Sequence, residues 1–397
     1  MKLKVRVISL LLVSILSATL WGCNKNKNQP QEYDNEDYTI AGNSSYGEVI
    51  ETQNGIYRIT STKMGKYVMY ADKPDLSNWV YLCSKANCKH DSYDCNGYIG
   101  GGMGGVIFLH DNHIYYVDNP EIYAMDMDGS NHERIRTIPN ANKPTNNLQL
   151  YWNNKYILSQ SQYSEEEMGI VKKYIYEVSF EEKEADKVLY EYEGEGDIFP
   201  PTGLSYGKNN YSGKFLIAVN FHTESLENRM IHEYDLTKDS LIPVEANAVY
   251  EYPAYFKENT AYYYKWNEGF FIKDMNSGKE EKLLDPIAKD SRASITKDYF
   301  IQGSGYTYDK KGDGWITIYN LEGDVLEKID LKTDEDSYYM GEFKFETSDR
   351  LFFSVVKLDG SEDCYYILKE NIGSKKNQYI YSYTNEISYL YVDPEKQ

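Results

Sequence analysis

One pattern recurs seven times along the chain: a short aromatic strand, a polar turn made of Asp, Asn, Gly or Lys, and a second strand. The copies are "YVMYADKPDLSNWVYL" from Tyr67, "IYAMDMDGSNHERI" from Ile122, "YIYEVSFEEKEADKVL" from Tyr174 and "IHEYDLTKDSLIPV" from Ile231. Then come "FIKDMNSGKEEKLL" from Phe271, "ITIYNLEGDVLEKI" from Ile316 and "YYILKENIGSKKNQYIYSY" from Tyr365. First to last they span 298 residues in six intervals, and a period of about 50 is that of a propeller blade. Most copies follow another hairpin, as in "VIETQNGIYRIT", "VIFLHDNHIYYV", "YFKENTAYYYKW" and "KFETSDRLFFSV". Two hairpins make four antiparallel strands, the content of one blade. The turns hold the residues that tight hairpins need, and no stretch carries an apolar stripe of helical period and length. The pattern predicts an all-β chain, a β-propeller of four-stranded antiparallel blades, as a single domain over residues 46–397. Seven blades fit the count best. Six and eight are the alternatives, because the fourth unit, around "LSYGKNNYSGKFLIAVNF", matches loosely and the last strands are surplus, with "EISYLYVD" expected to help close the ring.

Composition agrees with a sheet protein. The chain has 397 residues, 41% of them hydrophobic, and 41 tyrosines against 13 phenylalanines and 5 tryptophans. Tyrosine favours strands, packing its ring while its hydroxyl stays wet. The formal charge of −20 repels phosphates, and no basic patch offsets it, so nucleic acid is excluded as a partner. At the front, "MKLKVRVISLLLVSILSATLWGC" has a basic start (Lys2, Lys4, Arg6) and an apolar run from Val7 to Leu20. That run is short for a membrane span and has the length of a signal-peptide core. Its end, "LWGC", resembles the bacterial lipobox. The resemblance implies cleavage after residue 22 and diacylation of Cys23, with Trp21 departing from the usual small residue. An ordinary secretory signal and an uncleaved anchor are the alternatives. Residues 23–45 are polar and lack apolar periodicity, so they read as a flexible tether. The expected address is the extracellular face of the cell membrane, held by the lipid anchor.

The segment "IYYVDNPEIYAMDMDGSNHERI" is similar to repeats of TolB-like and YWTD-like propellers. In particular it resembles a family of propeller lipoproteins of Gram-positive anaerobes, and "CSKANCKHDSYDC" looks like a feature of that group. The resemblance covers roughly residues 45–395 and implies fold and location. It implies no activity, because propellers host unrelated functions.

Motifs for catalysis are missing from the sequence. "QGSGY" at 302–306 flanks Ser304 with glycines at the wrong spacing for a nucleophile elbow, and there is no Walker loop or H-E-x-x-H. "DKKGDGWITIYN" from Asp309 puts Lys311 and Asn320 where a calcium loop needs acidic ligands, so it reads as a turn. "GYIGGGMGG" at 97–105 reads as a flexible loop. Chemistry concentrates instead in "YLCSKANCKHDSYDC", residues 81–95. Cys83, Cys88, His90 and Cys95 supply the three sulfurs and one imidazole of a tetrahedral zinc site, which would be structural. Disulfides among Cys83, Cys88, Cys95 and Cys364 are the alternative in an oxidising compartment, Cys364 being brought near if the seventh blade meets the first. Free or redox thiols are a third. The stretch 84–104 is expected to be a long connection between the first two blades. The expected function is a non-catalytic binding or scaffold module for a polymer (carbohydrate), peptide or protein partner, acting as a monomer. The alternatives are an enzyme of glycosidase or lyase type at the channel mouth and a metal-handling or redox role for the cysteine loop.

Overall fold

Strand alternation fixes which side chains meet. The segment Gly341–Glu346, GEFKFE, alternates buried and half-buried residues, turning Phe343 and Phe345 inward, as a period of two requires. By contrast Phe300–Gly303, FIQG, is buried along its whole length, because a strand in the middle of a layer is covered on both faces. The computed structural model describes residues 49–62, 64–100, 107–118, 121–137, 145–152, 155–164, 169–179, 186–193, 196–199, 214–221, 229–235, 240–243, 254–257, 260–265, 268–274, 276–287, 291–304, 314–331, 341–356, 361–374 and 379–385. The expected signal segment and tether, Cys23 and "EISYLYVD" lie outside them. All the described residues belong to one compact unit.

Among the described residues, the strands form seven four-stranded sheets, each made of strands consecutive in the chain and paired in simple order. This is the construction of a β-propeller. The first sheet holds β1 (Val49–Glu51), β2 (Gly55–Thr62), β3 (Gly65–Asp72) and β4 (Val80–Tyr81). The second holds β5 (Ile107–His110), β6 (His113–Asp118), β7 (Glu121–Asp126) and β8 (Glu133–Thr137). The last runs through Gly341–Glu346, Arg350–Val356, Glu362–Leu368 and Ile380–Asn385. The repeat seen in the sequence has a local cause in one recurring turn. In it the amides of Asp126, Asp274 and Asn320 donate to Ser130, Lys279 and Asp324, and the amides of Gly129, Gly278 and Gly323 donate back. All three glycines have positive φ, which costs a residue without Cβ little.

Apolar clusters join neighbouring sheets. Phe108, Val117 and Ile122 of the second sheet meet Tyr176 and Val178 of the third, and Ile316, Ile318 and Leu331 meet Phe343, Phe353 and Ile367 of the last. The last sheet also packs on the first: Phe345, Phe352, Cys364 and Tyr383 share a core with Ile56, Ala71 and Leu76. Polar contacts follow the same seam, with Trp79 Nε1 donating to Ser382 Oγ at 3.0 Å and the Ser348 amide donating to Glu51 at 2.7 Å.

Two sequence expectations need correction and one is sharpened. The fourth unit, loosely matched around residues 204–221, holds the strand Lys214–Phe221 of that stretch, and its first strand is Gly196–Phe199, paired to it. This first strand is short and is separated in the sequence from the second, so no tight-turn signature marks the pair. Of the stretch 84–104, residues 84–100 are not simply a connection between blades, and 101–104 lie outside the described residues. The Leu82 amide donates to the Val68 carbonyl (2.9 Å), while the Val68 amide donates to the Gly97 carbonyl (2.8 Å). Further along β3, the Lys66 amide donates to Gly100 and the Ile99 amide to Lys66, at 2.8 and 2.9 Å, and Tyr67 pairs with Tyr98. The chain therefore returns to the edge of β3 at Gly97, beside the end of β4, and residues 83–96 are an excursion from that edge. For the same reason Gly97–Gly100 is tied to the edge of β3 by backbone hydrogen bonds and one bridge rather than being a free loop.

Candidate metal centre

The excursion leaves β3's edge at Leu82 and returns to it at Gly97, so its two ends are pinned side by side on Val68. Inside it, short turns close where the amides of Cys88 and Cys95 donate to the carbonyls of Lys85 and Ser92. Asn87 and His90 take left-handed conformations, at φ 63° and 56°, which Asn and His tolerate better than most residues. These turns fold the loop back on itself and direct Cys83, Cys88, His90 and Cys95 to one point.

All four ligand atoms lie within 4.8 Å of one another, and His90 Nδ1 is 3.3 Å from Cys95 Sγ. With Zn–S bonds of about 2.3 Å and a Zn–N bond of about 2.0–2.1 Å, a tetrahedral site has edges of roughly 3.5–3.8 Å. The cluster could hold a metal such as zinc with ångström-scale contraction. Cys95 is buried, and the other three are half-buried.

The main chain around the sulfurs suits thiolates. Burial raises the Cys83 pKa, but the amides of Lys85 and Asn96, with the Cys88 and Cys95 thiols, outweigh it and hold Cys83 below its ordinary value. Cys95, deeper, is pushed up to about 12 by burial, although the Gly97 amide points at its sulfur. In both cases an amide two residues ahead faces the sulfur. Crowded thiols that cannot all ionise alone can do so around a cation, because metal binding releases their protons. The His90 ring stacks on Tyr81, centroids 4.8 Å apart and planes 16° apart. Tyr67 stands edge-on to Tyr81 and Tyr98, and its hydroxyl donates to the Ser92 carbonyl at 3.4 Å. An aromatic floor thus orients the imidazole.

Cys364 does not join this group. It lies in Glu362–Leu368, 1% exposed, in the core shared by the last and first sheets, and burial pushes its thiol up to about 12. The expectation that the seventh unit meets the first is met, but the neighbours of Cys364 are Tyr383, Glu362, Arg58 and Lys344. The four cysteines are unbridged. Sequence reasoning missed His132, whose Nε2 lies 2.7 Å from the Asn96 carbonyl at the end of the excursion, and whose Nδ1 lies 2.7 Å from the Tyr116 hydroxyl. No local spacing marks it, since the contact joins two sheets. Elsewhere, Ser304 Oγ accepts from the amides of Trp315 and Gly341 at 3.2 and 2.8 Å, a structural duty. Tyr263 and Tyr264 are core residues.

No family model matches the sequence, and no curated protein does either. Solved structures do resemble the fold. One of a pair of prolyl endopeptidases is 9% identical with a TM-score of 0.54, covering 88% of this chain and 50% of that one. Prolyl oligopeptidase B from Galerina marginata is 10% identical, TM-score 0.51, over 89% and 52%. A post-proline cleaving enzyme from Rickettsia typhi is 13% identical, TM-score 0.50, over 88% and 54%. The likeness is one of fold. The chain spans about half the length of these β-propeller proteins.

Proposed function

We propose that this chain is a surface lipoprotein whose propeller is a non-catalytic binding or scaffold module for a polymer, peptide or protein. Diacylated Cys23 and the polar tether hold it on the outer face of the cell membrane, and Cys83, Cys88, His90 and Cys95 bind a structural zinc. One observation carries the reading of the site: a single loop brings four candidate protein ligands to one point, the number that would complete a tetrahedral zinc shell. A catalytic zinc site keeps a position open for water or substrate, whereas a structural site is closed. Zinc would supply charge to hold three thiolates together, and the chain's own groups do the rest. The amides of Lys85, Asn96 and Gly97 support the sulfurs, and Tyr81 orients His90.

The membrane part rests on the basic start, the apolar run and "LWGC". The binding role rests on the propeller together with the lack of a nucleophile or phosphate motif. The peptidase activity of the structural neighbours is not carried over, because this chain matches half of their length. Elemental analysis of the purified protein is the first test, with about one zinc per chain expected. Absence of bound metal from reduced protein that has been offered zinc would refute the metal centre. Turnover of glycan or peptide substrates by the purified chain would refute the non-catalytic reading.

A further inference from the structure

The cysteine loop sits where the first two sheets meet, and several contacts across that junction start from its ends. His132, in the turn between β7 and β8, has Nε2 2.7 Å from the Asn96 carbonyl and 3.1 Å from its own turn's Gly129 carbonyl. With its proton on Nε2, Nδ1 accepts from Tyr116 of β6 at 2.7 Å. Gly129 has φ +80°, and a Cβ there would fall 2.2 Å from the Leu82 carbonyl oxygen. At the other end, a Cβ on Gly100 would fall 2.3 Å from a carboxylate oxygen of Asp118. Leu82, Asn96 and Gly100 thus press on the second sheet from either side of the excursion.

The same residues are the weak part of the first sheet. β4 is two residues long and pairs only Met69 and Tyr70. The rest of that edge depends on Gly97–Gly100 returning to Lys66–Val68. Without a clasp, the ends of the excursion are free to separate, at an entropic cost of loop closure that must be met before those bonds form.

Building on the metal reading, we propose that metal capture by Cys83, Cys88, His90 and Cys95 is a latch. It completes the outer edge of the first sheet and locks that edge to the second sheet through His132. Cys83 follows Leu82 and Cys95 precedes Asn96, so closing the ligand shell fixes the two points where the excursion leaves and rejoins β3. Metal occupancy then sets the order of the junction, while the remaining sheets keep their own packing.

Hydrogen–deuterium exchange on the full chain tests this, comparing protein loaded with zinc chloride to protein treated with a chelator. Removal of zinc is expected to speed exchange of the Lys66, Val68, Leu82 and Ile99 amides roughly tenfold or more, with Ile316 and Ile318 unchanged, as for a local opening. His132→Ala is expected to keep one zinc per chain yet speed exchange at Gly97–Gly100, a split that a ligand substitution would not give. If zinc binds and its removal leaves the four amides as protected as before, the latch is overturned and the metal centre stands. If the chain takes up no zinc, both fall.

Discussion

The guanidinium of Arg58 lies 3.5 Å from the ring centroid of Tyr383, joining β2 of the first sheet to the final strand of the last. Trp79 flanks the same cation at 4.9 Å, and Arg58 is 3% exposed. A desolvated cation over aromatic faces contributes about 2 kcal/mol. Deleting it also removes the positive charge that faces Cys364 and Tyr383. Arg58→Leu is therefore expected to destabilise the protein by about 2–4 kcal/mol in denaturant unfolding. Tyr383→Phe keeps the ring and removes the hydroxyl that contacts Cys364, so a loss of about 0.5–1.5 kcal/mol is expected. Equal effects of the two substitutions would show that the cation–ring contact is not what holds the seam.

Asp118, at the end of β6, is half-buried against Gly100, and burial raises its carboxyl above the ordinary 3.8. A carboxyl raised in the fold binds its proton more tightly folded than unfolded. Stability therefore falls as pH climbs from 3.8 through the folded value and levels off above it. Asp118→Asn should remove the part of that decline that Asp118 contributes, leaving a shallower curve. Unfolding midpoints between pH 3.5 and 7 read it, and parallel curves for the two proteins would contradict the assignment.

Hairpins were legible in the sequence because their cause is local. Asp126-Met-Asp-Gly and Asp274-Met-Asn-Ser-Gly carry their own turn instructions, so β7 and β8 and the pair Gly269–Asp274 and Glu280–Leu284 fall where the repeat places them. The ligand set was legible for the same reason, being confined to one loop. What escaped has non-local causes. Gly97–Gly100 reads as a glycine-rich linker until Lys66–Val68 is beside it, and Gly100 is small because Asp118 crowds it from another sheet. His132 had no signal of its own, since Asn96 and Tyr116 reach it only after the first two sheets are in place. Cys364 could be placed at the seam between last and first units by counting repeats, but counting could not show that its side chain enters that core.

The membrane expectation depends on one residue. A diacylglyceryl group on Cys23 would bury acyl chains at about 0.8 kcal/mol per methylene, enough for firm anchoring with two chains. Cys23→Ser is expected to move the protein from the membrane fraction to the medium, or to stall it as an uncleaved precursor, and in both cases to abolish labelling by a lipid precursor. Unchanged fractionation without label would show that another element holds it.

Thiol reactivity separates the states of the cysteines. In a Cys23→Ser chain, four cysteines remain: Cys83, Cys88, Cys95 and Cys364. If zinc occupies the loop, its three sulfurs are shielded from alkylation and become reactive when a chelator strips the metal. Cys83 should then react first, because the Lys85 and Asn96 amides hold its pKa below the ordinary value while burial pushes Cys95 up to about 12, and the thiolate is the nucleophile. Cys364, packed among Phe345, Phe352 and Tyr383, should resist until the protein unfolds. The expected count by mass is none in the zinc-loaded native protein, three after chelation and four after unfolding. Were the loop disulfide-bonded instead, chelation would release nothing and a reductant would be needed. A native protein in which Cys364 reacted together with the loop cysteines would mean that the seam between the last and first sheets opens readily, against the packing described for it.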